Sequence, residues 1–383
     1  MLELSKELNS RGYQVTVITT WPEYNLNGNK GIREFTEIEE EQGISVIRIK
    51  TLPHHNINYF LRGIAQLLMP LQFLLKLWMY KVKVDACIIY SPPLTLAFVG
   101  IVLKIQGVKS LLNIQDLFPQ NAIDLGVLSN PIQIWFFRCI EIISYRFSDC
   151  ITVHSEGNRQ SILKKYPDLT NKLKTLHNWV DLDHHQTGEL GIDFRKKWNL
   201  KHPLIAVFAG VMGPSQYLNL ILNIANRIQD NSEILFLLVG GGAEKEDLIE
   251  SAAEKKLTNV RFENFVSRED YPSLLKVCSL GLVCLSPMNR TPVVPGKILG
   301  YMAAGLPVVA FLHEESDGHA IIQEAECGIT ANSSDEEACV QAFLKILACK
   351  HRFLEMGRSG RSYAEKNFSK KICVSQMEQL FLK

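Results

Sequence analysis

The stretch EILFLLVGGGAEKEDLIESAAEKK (233–256) reads as strand, glycine turn and helix in immediate succession. Its unbroken apolar run is the pattern of a strand buried on both faces, typical of parallel sheets with helical crossovers. The alternation continues outward. A strand over 203–213, ending in glycines, and a helix over 218–228 precede it. Strands over 259–266, 280–287 and 306–311 follow, separated by helices over 271–279 and 296–305. A helix over 319–328, capped by Gly328, and a mostly helical stretch over 335–382 complete this half.

The first half alternates in the same way. Strands are predicted over 44–50, 85–93, 109–120 and 149–157, and a strand over 172–185 runs into a polar hinge. Helices are predicted over 57–80, 94–107 and 131–147, the last with Pro131 in its first turn. Ser155 sits where a helix N-cap belongs. Residues 23–43, rich in Asn, Gly and Glu, read as a loop. This pattern, twice over, predicts an α/β protein with two doubly wound parallel sheets. Ligands bind off the carboxyl ends of such strands. Two such domains joined by a hinge are expected to face each other across one cleft.

The opening residues are incomplete by this logic. Leu2, Leu4 and Leu8 mark a helix with Gly12 at its C-cap, and Val15, Val17 and Ile18 mark a strand ending at Trp21-Pro22. A parallel unit needs a strand before such a helix. The first strand of the N-terminal domain is therefore expected to be missing.

The bulk numbers exclude several classes. The chain has 383 residues, 46% hydrophobic and 21% charged, with a formal net charge of +1. That balance fits a globular protein of two domains and gives no general affinity for nucleic acid. The nine cysteines are dispersed and form no CxxC pair, so free thiols in a reducing cytosol are expected, not a disulfide frame or zinc site. The amphipathic, charged start is unlike a signal peptide. Residues 57–84 are long and apolar, but Arg62, Gln66, Gln72 and Lys76 interrupt them and Pro70 is expected to break or kink the helix. A half-buried crossover helix is the preferred reading. The second reading is a patch resting on a membrane, with Trp78, Tyr80, Lys81 and Lys83 at the headgroups.

Three loops of the second half carry chemistry. In GVMGPSQ (210–216), Gly210 and Gly213 follow a strand and precede a helix, so backbone amides can approach a phosphate, and Gln216 can donate a hydrogen bond. A turn that binds nothing is the alternative. The run LVGGGAEKE (238–246) places Gly240 and Gly241 one strand over, although it is neither GxGxxG nor a P-loop. In PVVPGKILGYMAAGLPVV (292–309), Lys297 falls in the first turn of a helix, where a cation opposes the helix dipole. An anion between Lys297 and the helix end, reached also by the amide of Gly296, rationalises that placement; a solvated surface lysine is the alternative. No metal is expected: there is no DxD and no ligand spacing, and DLDHH (181–185) lies in the hinge. In the first half, Asn113, Gln115 and Asp116 stand at a strand's end, and Asp116 either orients an acceptor hydroxyl or caps the next turn.

These blocks, with NIQDLFPQNAIDLGVL and LHNWVD in the first half, resemble glycosyltransferase family 4, and most nearly its WbuB-like, N-acetyl-fucosaminyl transferase-like branch. The resemblance implies the GT-B fold, two Rossmann-like domains facing a cleft. It implies that Gly210–Gln216 and Pro295-Gly296-Lys297 hold the donor diphosphate and that Phe265 and Val266 bracket the base. It departs at Pro292 and Gly300, where the family carries two glutamates, at Gly296, where a serine is usual, and at Tyr217, where a glycine is common. Relatives begin with a strand and a Gly-Gly loop, which matches the strand missed above.

The expected organisation is an acceptor-side domain over 1–184, a nucleotide-sugar domain over 185–360 and a final helix over 361–383 packing toward the first domain. The expected activity is a retaining glycosyltransferase. It would move a sugar from a nucleotide-sugar, with UDP preferred, to a lipid-linked or oligosaccharide acceptor in O-antigen or capsule assembly. It would lie in the cytoplasm or on the inner face of the membrane, without nucleic acid. A GT-B epimerase of UDP-N-acetylhexosamine and a truncated, inactive binding protein are the alternatives, and donor turnover separates them.

Overall fold

A computed structural model describes residues 2–22, 35–52, 59–185 and 191–382. It divides into two compact units, Met1–Leu176 with Cys373–Lys383, and His177–Ile372.

In the first unit, α1 (Leu2–Ser10) leads into β1 (Thr16–Thr20). Gly12 adopts φ +92° and the Tyr13 amide donates to Leu8 O at 3.2 Å, closing the helix as expected. β2 (Ile38–Glu41) and β3 (Ile44–Ile49) form a hairpin, and β1 pairs with β3 in parallel. β2 is a correction to the loop reading of 23–43; residues 23–34 of that stretch lie outside the described residues. The sequence IEEE of β2 reads as polar coil, but buried Arg48 of β3 binds Glu39 at 2.8 Å and also pairs with Glu41, which fastens the edge strand down.

α2 (Tyr59–Met79) crosses to β4 (Ala86–Ser91) and continues through buried Pro70, so of the expected break or kink the break does not occur. Proline removes the amide that would bond the carbonyl four residues back. That carbonyl, Gln66 O, instead accepts from Thr95 Oγ1 at 2.7 Å. α3 (Ala97–Ile105), β5 (Lys109–Ile114), α4 (Gln120–Asp124), α5 (Pro131–Phe147), β6 (Cys150–Val153), α6 (Glu156–Lys165) and β7 (Leu173–Thr175) follow. Asn130 Oδ1 accepts from the Ile132 and Gln133 amides and starts α5; Ser155 Oγ accepts from the Asn158 amide and starts α6. β4-β5-β6-β7 form a parallel sheet, separate from β1-β3-β2 among the described residues.

The second unit holds α7 (Phe194–Lys197), β8 (Leu204–Val211), α8 (Asn219–Arg227), β9 (Ile234–Gly241), α9 (Lys245–Glu254) and β10 (Val260–Glu263). α10 (Tyr271–Lys276), β11 (Leu280–Cys284), α11 (Gly296–Ala303), β12 (Val308–Leu312), α12 (Gly318–Glu324) and β13 (Gly328–Asn332) come next. Its sheet is six-stranded in the order β10-β9-β8-β11-β12-β13, and every pairing is parallel. Residues 205–208 of β8 and nearly all of β9, β11 and β12 are buried between two helical layers, as their unbroken apolar runs require. Gly328 opens β13 and does not cap a helix, a second correction. A Cβ there would come 1.8 Å from Val308 O, so the close approach of β13 to β12 requires glycine.

α13 (Glu336–Ala348), α14 (Phe353–Asn367) and α15 (Lys370–Met377) end the chain. The compact units divide at 176/177, because residues after β7 already pack on the second unit. The Val180 amide donates to Phe368 O at 2.9 Å, and Leu182 O accepts from Arg361. Residues 361–372 stay with that unit. Only the last turns join the first, where Arg11 binds Glu378 at 3.0 Å and Ser375 at 2.9 Å. No described helix is long and apolar enough to cross a membrane.

Candidate functional site

The order of the second sheet places its topological switch between β8 and β11, the first and fourth strands of the unit, where crossovers leave in opposite directions and a crevice opens. The residues singled out from sequence gather there. Gly210 and Gly240 are cross-strand partners at the carboxyl ends of β8 and β9. Gly210 has φ +152° and a Cβ on it would lie 2.9 Å from Lys297 Cε. Gly240 has φ +148° and a Cβ on it would lie 1.9 Å from Gly210 O. The bare backbone is what lets β8, β9 and the lysine meet.

Lys297 is the chemical centre of the group. It stands in the first turn of α11, which Pro295 precedes without any side-chain cap. Its Nζ donates to Gln216 Oε1 at 2.6 Å and lies 4.7 Å above the ring of buried Phe208. Gln216 thus receives a hydrogen bond through its carbonyl, and its amide nitrogen lies 3.3 Å from Ser215 Oγ. Among the described residues Lys297 makes no ion pair with a carboxylate. Burial lowers its pKa from the usual lysine value to about 8, weakly opposed by the neighbouring Cys284. The first amides of α11 have no intrahelical acceptor, and Gly296 is exposed, with nothing within 4 Å of where a Cβ would stand.

The remaining residues singled out from sequence in this unit surround this core. Gly213 opens the short 3-10 turn Pro214–Gln216 and is equally open. Gly241 packs on Phe265, whose ring would lie 3.1 Å from a Cβ there, and Phe265 is 42% exposed, so one edge of its ring is available to a ligand. Val266 packs into the core beneath. Tyr217 holds φ +49°, the left-handed conformation that favours glycine, which accounts for glycine being the common residue of the family pattern at this position.

Sequence reading missed three supports. Phe208, read only as a core strand residue, carries the ammonium of Lys297. Lys245 Nζ ties Gly240 O at 3.0 Å to Asn264 Oδ1 at 2.7 Å, clasping the glycine turn to the segment before Phe265. Buried Tyr301 donates to Val207 O at 3.0 Å and accepts from the Ala209 amide, fixing α11 against β8. None has a spacing signature, because each partner is distant in sequence.

In the first unit, Asp116 lies just past β5, exposed but crowded enough that desolvation raises its carboxyl pKa. Its neighbour Gln115 bonds Asn113, and buried His154, past β6, bonds Asn158 at 3.1 Å. Asp116 belongs to the first unit and the Lys297 group to the second. In the hinge, His184 bonds Arg268 O at 2.8 Å and Asp181 pairs with Lys370. Among the described residues no cluster of three or more His, Cys, Asp or Glu side chains is placed to hold a metal.

Residues 1–184 match the family model "Glycosyltransferase Family 4", and residues 203–349 match "Glycosyl transferases group 1". The chain is a group 1 glycosyltransferase. It is 24% identical over 328 residues to "Probable glycosyltransferase WbjE" of Pseudomonas aeruginosa, spanning 85% of this chain and 81% of that protein. Among solved structures it resembles WaaG, a glycosyltransferase involved in lipopolysaccharide biosynthesis, at TM-score 0.70 and 13% identity, over 99% of this chain and 94% of that one. It also resembles Anabaena HepE in complex with UDP, at TM-score 0.65 and 14% identity, over 87% and 85%. The fold of this glycosyltransferase is therefore GT-B, and its activity is glycosyl transfer.

Proposed function

We propose that this glycosyltransferase takes its sugar from a nucleoside diphosphate sugar, with UDP as the nucleotide, and passes it to a lipid-linked or oligosaccharide acceptor in surface polysaccharide assembly. The observation that carries the donor reading is Lys297, an ammonium without a carboxylate partner, aimed at Gly210 and Gln216 beside an uncapped helix N-terminus. A diphosphate supplies the charge that this arrangement lacks. As the bond from the anomeric carbon to the leaving phosphate oxygen breaks, negative charge grows on the diphosphate. A fixed ammonium and backbone amides stabilise that charge more than the ground state. Phe265 offers an exposed ring to the base. Asp116, just past β5, is assigned to orienting the acceptor hydroxyl. Transfer proceeds with retention of anomeric configuration and without a metal, since Lys297 and α11 meet the charge requirement. The bound nucleotide of HepE and the lipopolysaccharide role of WaaG support the choice of donor and pathway class.

Titration calorimetry with UDP and GDP tests the donor assignment. UDP is expected to bind, and Lys297→Ala to weaken it roughly 10–100-fold, the scale of a charge-assisted hydrogen bond. Unchanged affinity in the variant would remove Lys297 from the site. Turnover that persists in EDTA is the expected outcome for metal independence.

A further inference from the structure

A helix on the surface of a globular protein normally turns an apolar stripe inward and a polar one outward. α2 does not. Its inward residues Ala65, Met69, Phe73 and Leu77 are buried, the last three in one cluster with Val99 and Leu103 of α3. Its outward residues are equally apolar: Ile64, Leu67 and Leu68 in the first half are all exposed. Leu71, Leu75, Trp78 and Met79 continue the stripe, and Trp78 is 77% exposed. Every exposed residue of α2 among the described side chains is apolar. α3 lies between α2 and α5 and adds Val102 and Ile105, the latter 85% exposed. α5 adds Ile132, Trp135, Phe136 and Phe147. Scattered exposed apolar residues need no explanation, but a continuous sheet of them over three adjacent helices does.

The segments that form this face carry mostly cations, although Glu37, exposed Asp85, Asp149 and Asp168 lie at the same edge. Residues 63–84 contain Lys76, Lys81 and Lys83 and no carboxylate; residues 97–109 contain Lys104 and Lys109 and none. Arg146 stands in the last turn of α5. α2, α3 and α5 each lead into a strand of one parallel sheet, so their C-terminal ends share one edge. The cations concentrate at that edge, with Trp78 and Tyr80 beside them. Such a concentration is notable in a chain whose net charge is only +1. Some of these cations are already engaged, Lys76 with Glu37, Lys104 with Asp149 and Arg146 with Asp168, whereas Lys81 and Lys83 are exposed just past α2.

We propose that the outward face of α2, α3 and α5 docks on an anionic phospholipid surface, with Leu71, Leu75, Trp78 and Trp135 entering the interface and the basic edge meeting the headgroups. A wide apolar face, amphipathic aromatics and a basic border are what an interfacial helix surface requires. Apolar area fixes depth, and the lysines select lipid charge. The surface is read from the first unit alone and stands or falls apart from the donor site.

The test is flotation of the full chain with phosphatidylcholine vesicles, with and without phosphatidylglycerol. Binding is expected to the anionic vesicles and to weaken with added salt. Leu71→Ser with Leu75→Ser is expected to lower the partition coefficient about tenfold or more, from the apolar area removed. Both residues are exposed, and an unchanged circular dichroism spectrum and melting temperature confirm that the variant is folded. Lipids brominated on the acyl chain should quench the tryptophan emission, and Trp78→Phe with Trp135→Phe should abolish the quenching while keeping most of the binding. Failure to float with anionic vesicles overturns the proposal. So does a dimer in solution that the serine variant dissolves, since the face would then cover a second copy of the chain.

Discussion

Lys297 illustrates how a single residue carries a cost in the free protein that a ligand removes. Its pKa is lowered to about 8 by burial, so the charged form is disfavoured in the fold. The sign is that of a depressed group: its contribution to stability is full above the ordinary lysine pKa and is lost as pH falls through about 8. A bound diphosphate reverses this by favouring the ammonium. UDP affinity is therefore expected to be flat below pH 8 and to fall by up to about tenfold per unit above it, with proton uptake on binding. Calorimetry in buffers of different ionisation enthalpy measures both, and Lys297→Gln should flatten the profile. Gly240→Ala is a separate case. The new Cβ meets Gly210 O at 1.9 Å in a positive-φ conformation, so thermal unfolding should show a loss of about 2–3 kcal/mol. The glycines and the lysine were legible in the sequence because their residue types are unusual where they stand. Phe208, Lys245 and Tyr301 were not, because an aromatic or a lysine in a core segment looks the same whatever it touches.

Single elements were legible where their burial is uniform. The central strands β9, β11 and β12 of the second unit, buried on both faces, announced themselves as apolar runs, and α5 was read from Pro131 through Phe147. β2 was missed because its glutamates look solvated and become strand residues only through Arg48. Arg48→Met is accordingly expected to release the edge strand: it removes the guanidinium partner of two half-buried carboxylates and should cost about 1–3 kcal/mol. Hydrogen exchange should show lost protection confined to β2 and β3. β13 was missed for a related reason. A glycine after a helix reads as a cap, and only the closeness of Val308 shows that it begins a strand.

At the scale of the molecule, the end of the chain completes its beginning. Arg11 and Tyr13 reach Glu378 at 3.0 and 2.9 Å, and Val374, Met377 and Phe381 are buried. Truncation after Ile372 is expected to lower the melting temperature and to shift proteolytic cleavage into residues 1–176, leaving the second unit able to bind UDP. Cleavage concentrated in the second unit would contradict the assignment of the last turns to the first.

The amino-acid sequence by itself determined the α/β class, the two-fold repetition of the strand–helix alternation and the glycine- and lysine-bearing loops proposed to hold the donor. Each of these is a local pattern, set by periodicity or by a residue type that local backbone geometry demands. Tertiary structure alone decided which loops meet at the switch between β8 and β11, how Lys297 loses hydration over Phe208, and where the chain divides. It also decided that the outer stripe of α2 stays uncovered. Those are facts about residues far apart in the chain, and hydration and contact depend on neighbours that no local pattern names.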